Sequence, residues 1–250
     1  MENKLVHYIL GIADNNLILG QRLGELCGHG PTLETDIALT NISLDLLGQV
    51  RSYYQYAASI LGGGATEDTL AFLRNEREYR NVLLCEQANI NFAYTIGRQF
   101  LFDQYHLLFL ESLSGSSDAQ LKAIALKSIK EVKYHVRFSG DWLLRLGDGT
   151  EESSAKMQEA IDALYVFTDE LFDMDASELE LLNAEVAVDL RLLKEEYYTR
   201  IDREIVKAGL TVPTVTYFQR GGKQGRHGEQ MGYLLAEMQF MQRTYPNMTW

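Results

Sequence analysis

Proline is nearly missing from this chain, with three in 250 residues, at positions 31, 213 and 246. An interior proline removes a helical hydrogen bond and collides with the preceding turn. The run from Thr32 to Val212 is therefore free to build long helices. Cysteine is scarcer still. Cys27 and Cys85 have neither CxxC spacing nor a local histidine, which excludes a disulfide framework; both are expected as reduced core thiols of a cytoplasmic protein. Basic residues are outnumbered, 23 Lys and Arg against 35 Asp and Glu, for a net charge of −12. A chain this acidic gains nothing from counterion release, so nucleic acid is not an expected partner. Long apolar runs are lacking too. The one in MENKLVHYILGIADNN is broken at Asp14, no signal-peptide cleavage pattern follows, and nothing reaches a membrane-spanning length.

What is present is helical periodicity. In the segment 33–61, Leu39, Ile42, Leu46, Tyr53 and Ala57 recur at steps of three and four, and Ile37, Leu44, Leu47 and Tyr54 form a second stripe. A helix apolar on two sides is expected to lie between others. Pro31 and Thr32 supply its start signal. The segment 118–147 is amphipathic: Leu121, Ala125, Ile129, Val132, Val136, Trp142 and Leu146 face inward, and Lys122, Lys130, Lys133 and Arg137 face outward. Ser117 is its expected N-cap, and Gly147 and Gly149 its stop. Further helices are expected at about 3–27, 67–84, 88–113, 153–173, 190–208 and 228–243. No β-hairpin or βαβ pattern occurs. The fold class is all-α, expected as one domain over 1–250 with a bundle core at about 3–173 and a C-terminal helical extension at about 175–250.

A carboxylate-bridged di-metal site in such a bundle takes a Glu from each of two helices and a Glu-x-x-His from each of the other two. No intact Glu-x-x-His exists here. His135 is preceded at that step by Val132, and Asp103-x-x-His106 is the only carboxylate at the right distance. The cluster that stands out is Asp103, Glu131 and His135, which reads either as half of a metal site or as a buried pair satisfied by hydrogen bonds. Glu76 and Tyr79 have ligand-like spacing, but RNEREYRN is expected to be a solvated face. The run RGGKQGRHG, residues 220–228, lacks the glycine spacing and the Ser/Thr of a phosphate loop. It reads as a flexible loop whose Arg220, Lys223, Arg226 and His227 could contact a partner.

Three stretches carry a resemblance. CGHGPTLETDIALTNISLDLLGQVR at 27–51, KSIKEVKYHVRFSGDWLLRLGDGT at 127–150 and RGGKQGRHGEQMGYLLAEMQFMQR at 220–243 strongly resemble the PaaC family, ferritin-like subunits of the multicomponent phenylacetyl-CoA epoxidase. The resemblance implies a ferritin-like four-helix bundle core and a place beside the catalytic subunit PaaA, which carries the di-iron centre. The other components are PaaB and the reductase PaaE. Carrying PaaA's ligand pattern onto this chain puts Asn16, Leu46 and Gln49 where one Glu and a Glu-x-x-His would stand. Asp103 keeps a carboxylate, and His135 survives with Val132 in place of Glu and Glu131 shifted by one. The resemblance thus implies a degenerate site, with no metal or other cofactor bound by this chain and iron held by the partner. A cytoplasmic location accompanies this reading, and a homodimer is left open for the isolated chain. The alternative is a metal-dependent oxygenase or oxidase built on Asp103, Glu131 and His135.

Overall fold

Helices form where apolar residues recur at helical spacing and stop where caps and glycines intervene. The computed structural model describes residues 2–246 and 248. Among them there is no strand, and the class is all-α, as a ferritin-like helical fold requires. No helix of the described residues is long and apolar enough to cross a membrane. The chain divides into two compact units, Met1–Gln87 with Gly221–Trp250, and Ala88–Arg220.

The first unit is built on α1 (Glu2–Gly24) and α2 (Leu33–Leu61). Asn16 meets Gln49, and the Ser43 hydroxyl donates to the Gly20 carbonyl. Residue numbers rise on one helix as they fall on the other, so the pair is antiparallel. Thr32 caps α2 by accepting from the Thr35 N–H. Asp36 in its first turn accepts from the Gly28 and Gly30 N–H groups, fastening the connection from α1. The stripe Leu39, Ile42, Leu46, Tyr53 and Ala57 is buried. The second stripe is not. Tyr54 is buried, but Ile37 and Leu44 are 51% and 59% exposed, so α2 lacks the second buried face expected of it.

The helix expected over 67–84 is broken into α3 (Glu67–Phe72), a single 3-10 turn at Glu76–Glu78 and α4 (Leu83–Glu86). The cause is polar. Arg74 turns inward to bind Asp14, and Asn75 then caps the 3-10 turn through Glu78. RNEREYRN is accordingly no solvated face throughout: Arg74 and Tyr79 are buried, although Glu76 is exposed. Cys85 is a core thiol, whereas Cys27, expected in the core, is exposed beyond the end of α1.

The second unit centres on α5 (Phe92–Leu113), buried around nearly its whole circumference, as befits a helix packed by others on several sides. It lies against α6 (Ala119–Gly147), α7 (Glu151–Leu164) and, beyond α8 (Ala176–Asn183), α9 (Leu190–Lys207). The cap of α6 is Asp118, whose carboxylate accepts from the Gln120 and Leu121 N–H groups. Ser117, the expected cap, instead donates its N–H to the Glu185 carbonyl and its hydroxyl to that of Ala184. The helix expected to reach 173 ends at Leu164 and continues as 3-10 turns to Phe172. The final helices, α10 (Glu229–Met238) and α11 (Phe240–Thr244), belong to the first unit.

Candidate functional site

The positions expected to have lost their ligands, Asn16, Leu46 and Gln49, fall in the first unit, and the expected remnants, Asp103, Glu131 and His135, in the second. In the first, Asn16 on α1 and Gln49 on α2 are buried and hydrogen-bonded to each other, Nδ2 to Oε1, at 3.2 Å. Leu46, fully buried one turn away, offers no donor atom. The bond joins two neutral groups, an amide N–H of Asn16 and the amide oxygen of Gln49.

In the second unit Asp103 on α5 is fully buried. Its Oδ1 accepts from Gln99 Nε2 at 2.6 Å, and its Oδ2 lies 2.8 Å from the Ser139 hydroxyl of α6. Burial pushes the Asp103 carboxyl up to about 7, opposed by His135 and by the Ser139 and Gln99 bonds. His135, also fully buried, sits one turn before Ser139 on α6. Burial, aided by His135, pulls His106 down to about 3, so its ring is neutral. Both nitrogens of that ring lack a hydrogen-bond partner among the described residues, and it packs on Phe102 with ring centroids 5.2 Å apart. Glu131 is half-buried on α6. Among the described residues, no group of three or more His, Cys, Asp or Glu could hold a metal ion.

The basic run 220–228 is fastened rather than loose, which corrects the reading as a flexible loop. Arg220 pairs with Asp169 and Asp173 of its own unit. In the first unit, Gly222 and Gly225 lie against the segment 77–83: a Cβ on Gly222 would fall 2.2 Å from the Asn81 carbonyl oxygen, and one on Gly225, whose φ is +75°, 2.3 Å from that of Arg77. Only glycine fits. The His227 ring is buried, with Nδ1 2.8 Å from Glu86 Oε2 and Nε2 3.2 Å from the Tyr79 carbonyl. Both partners can accept, so protonation of the ring would let both nitrogens donate. Burial works against that charge, but the bond to Glu86 and its charge prevail and raise the His227 pKa. Glu86 also accepts from the Gly228 N–H and Asn81 Nδ2. Lys223 is half-buried and Arg226 exposed.

Sequence reasoning missed the strongest electrostatic feature. Asp14, fully buried on α1, binds Arg74 through both oxygens, at 2.5 and 2.9 Å, and accepts from Tyr54 and the Arg80 N–H. Burial disfavours the Arg74 charge, but Asp14 outweighs it and holds the guanidinium above its ordinary pKa. The signal was there: Asp14 breaks an apolar helical run, and a lone acid on such a face needs a cation.

The family model for phenylacetic acid catabolic proteins matches residues 1–250. The chain belongs to this family. It is similar over 248 residues, at 50% identity, to the C subunit of the 1,2-phenylacetyl-CoA epoxidase of Escherichia coli (strain K12), covering 99% of this chain and 100% of that one. As a phenylacetic acid catabolic protein, the chain carries in its first unit a neutral amide pair beside a buried leucine. Its second unit carries one buried carboxyl of raised pKa among neutral donors and histidines.

Proposed function

We propose that this chain acts in aerobic phenylacetate catabolism as the non-catalytic, structural subunit of a multicomponent phenylacetyl-CoA epoxidase. In that role it stabilises the di-iron catalytic subunit PaaA, with PaaB and the reductase PaaE completing a cytoplasmic assembly. The observation that carries the reading is the hydrogen-bonded pair of neutral amides Asn16 and Gln49 beside Leu46, at the positions that the resemblance matches to carboxylates of the catalytic subunit. Two ferrous ions require several anionic ligands to offset their charge. The donors of this chain do not fit such a centre, so oxygen is activated on the partner. Likeness along its whole length to a chain named as an epoxidase subunit supports the assignment to a complex.

The test has two measurements. Metal analysis of the chain purified alone should find substoichiometric iron, and co-expression with the PaaA chain of the same organism should yield a co-eluting complex. About two irons per chain, lost in His135→Ala, would overturn the reading in favour of an oxygenase built on Asp103, Glu131 and His135. Failure to co-elute would remove the structural role.

A further inference from the structure

Three helices of the second unit enclose a groove that the subunit role leaves unused. Residues of α6 form one wall and residues of α9 the other, and Gln104 of α5 lies at its floor. Its volume is about 450 Å³, within the range of small-molecule clefts, about 300–1,000 Å³. Gln104 is only 6% exposed, yet its amide has no hydrogen-bond partner among the described residues. A buried amide nearly always finds a partner, so one that faces a groove unpaired points to something that enters it.

The walls are rich in donors. Arg137 of α6 and Arg200, Arg203 and Lys207 of α9 line the groove, against three acids, Asp141, Glu196 and Glu204. That excess of cations stands out in a chain of net charge −12. Nor do the acids use up the guanidinium groups. Glu196 takes Arg200 through Nε at 2.6 Å, and Glu204 takes Arg203 through Nε at 3.1 Å. Among the described residues the terminal amino groups of both arginines have no hydrogen-bond partner and are left to donate. Arg137 forms no ion pair among the described residues; its guanidinium lies over the Tyr134 ring, 5.6 Å from the centroid. Guanidinium forks match phosphate oxygens in geometry as well as in charge.

Gly140, half-buried on the α6 wall, is the third observation. A glycine inside a long helix is destabilising relative to alanine, and a Cβ built there would meet nothing within 4 Å. Packing within the chain does not require the glycine, whereas a larger residue would project into the groove.

We propose that this groove binds a small organic phosphate of nucleotide size. Arg137, Arg200 and Arg203 hold the phosphate oxygens, and the Gln104 amide, which both donates and accepts, pairs with a polar edge of the organic part. Size argues for the organic part, because a lone phosphate ion would leave most of the groove unfilled. The inference goes beyond the subunit role and does not depend on it.

The test is calorimetric titration of the whole chain with ADP, with pyrophosphate and with adenosine. ADP should bind with a Kd of about 1 mM or tighter, and the other two more weakly. Arg137→Gln and Arg203→Gln should each weaken ADP about ten-fold, the worth of a charge-assisted hydrogen bond. Gln104→Leu should weaken ADP about five-fold and leave pyrophosphate unchanged, without lowering the melting temperature, because it removes an unpaired buried amide. Gly140→Leu should abolish binding while the melting temperature holds or rises, because leucine is the better helix former. Lys122→Gln, on α6 outside the groove, should bind as wild type does. No binding of ADP by the folded wild-type chain overturns the proposal. So does pyrophosphate binding as tightly as ADP, which makes the groove an anion site only. Wild-type affinity in Gly140→Leu overturns it too, since the ADP then sits elsewhere.

Discussion

Each unit buries one aspartate completely, and the two are treated in opposite ways. Asp14 in the first unit meets a guanidinium, a phenol and a backbone N–H. Asp103 in the second meets an amide and a hydroxyl, with His135 in electrostatic reach. Burial is equal, so it does not decide the state of the group. The partners do. An ion-paired carboxylate is a structural fastener whose removal leaves a bare cation. A carboxyl surrounded by neutral donors holds its proton more tightly than it would in water, here with its pKa pushed up to about 7 by burial.

That contrast can be broken from the first unit. Arg74→Met would leave Asp14 buried and uncompensated, with an expected loss of about 3–5 kcal/mol in chemical denaturation. The double variant Asp14→Asn with Arg74→Met should recover a large part of it. Asp103→Asn should act in the opposite sense. Its folded pKa of about 7 lies above the unfolded 3.8, so the native state binds the proton more tightly, and this group's contribution declines as pH rises from 3.8 to 7. The asparagine variant is therefore expected to be more stable than wild type at pH 8, by up to about 4 kcal/mol, with the gain shrinking to nothing near pH 4. Unfolding curves at the two pH values decide this.

The clasp on the C-terminal segment is the next effect in size. The His227 pKa is raised above 6.5 by Glu86, so its contribution is fully present below 6.5 and lost as pH rises through the folded value. His227→Gln should cost about 1–3 kcal/mol at pH 6 and less at pH 9, and limited proteolysis should then cut within 220–228 sooner than in wild type. The smallest effect belongs to the outer face of α6, where Lys130→Gln should leave the melting temperature unchanged within error.

Much of the fold could be read from residue order. Helix α2 begins and ends where Thr32 and Gly62 dictate, and α6 spans the amphipathic stretch to Gly147. Reading failed where a side chain had to leave its local pattern. Arg74 in a charged string belongs to the core because Asp14, sixty residues earlier, is there. The run 220–228 carries glycines because the segment 77–83 lies against it, not because it is loose. The candidate site divides similarly. That Asn16, Leu46 and Gln49 are uncharged is read from the sequence, whereas the hydrogen bond that joins the two amides is not.

Sequence alone determined the helical class, the family and the shortage of anionic ligands, because periodicity and residue type are local facts. Only tertiary structure decided which buried acid is ion-paired and which holds a proton. It alone decided that the final basic segment is clasped, and that one apolar stripe of α2 is core while the other faces outward. Those outcomes depend on contacts between residues far apart in the chain, and a helical repeat says which side chains share a face without saying what that face meets.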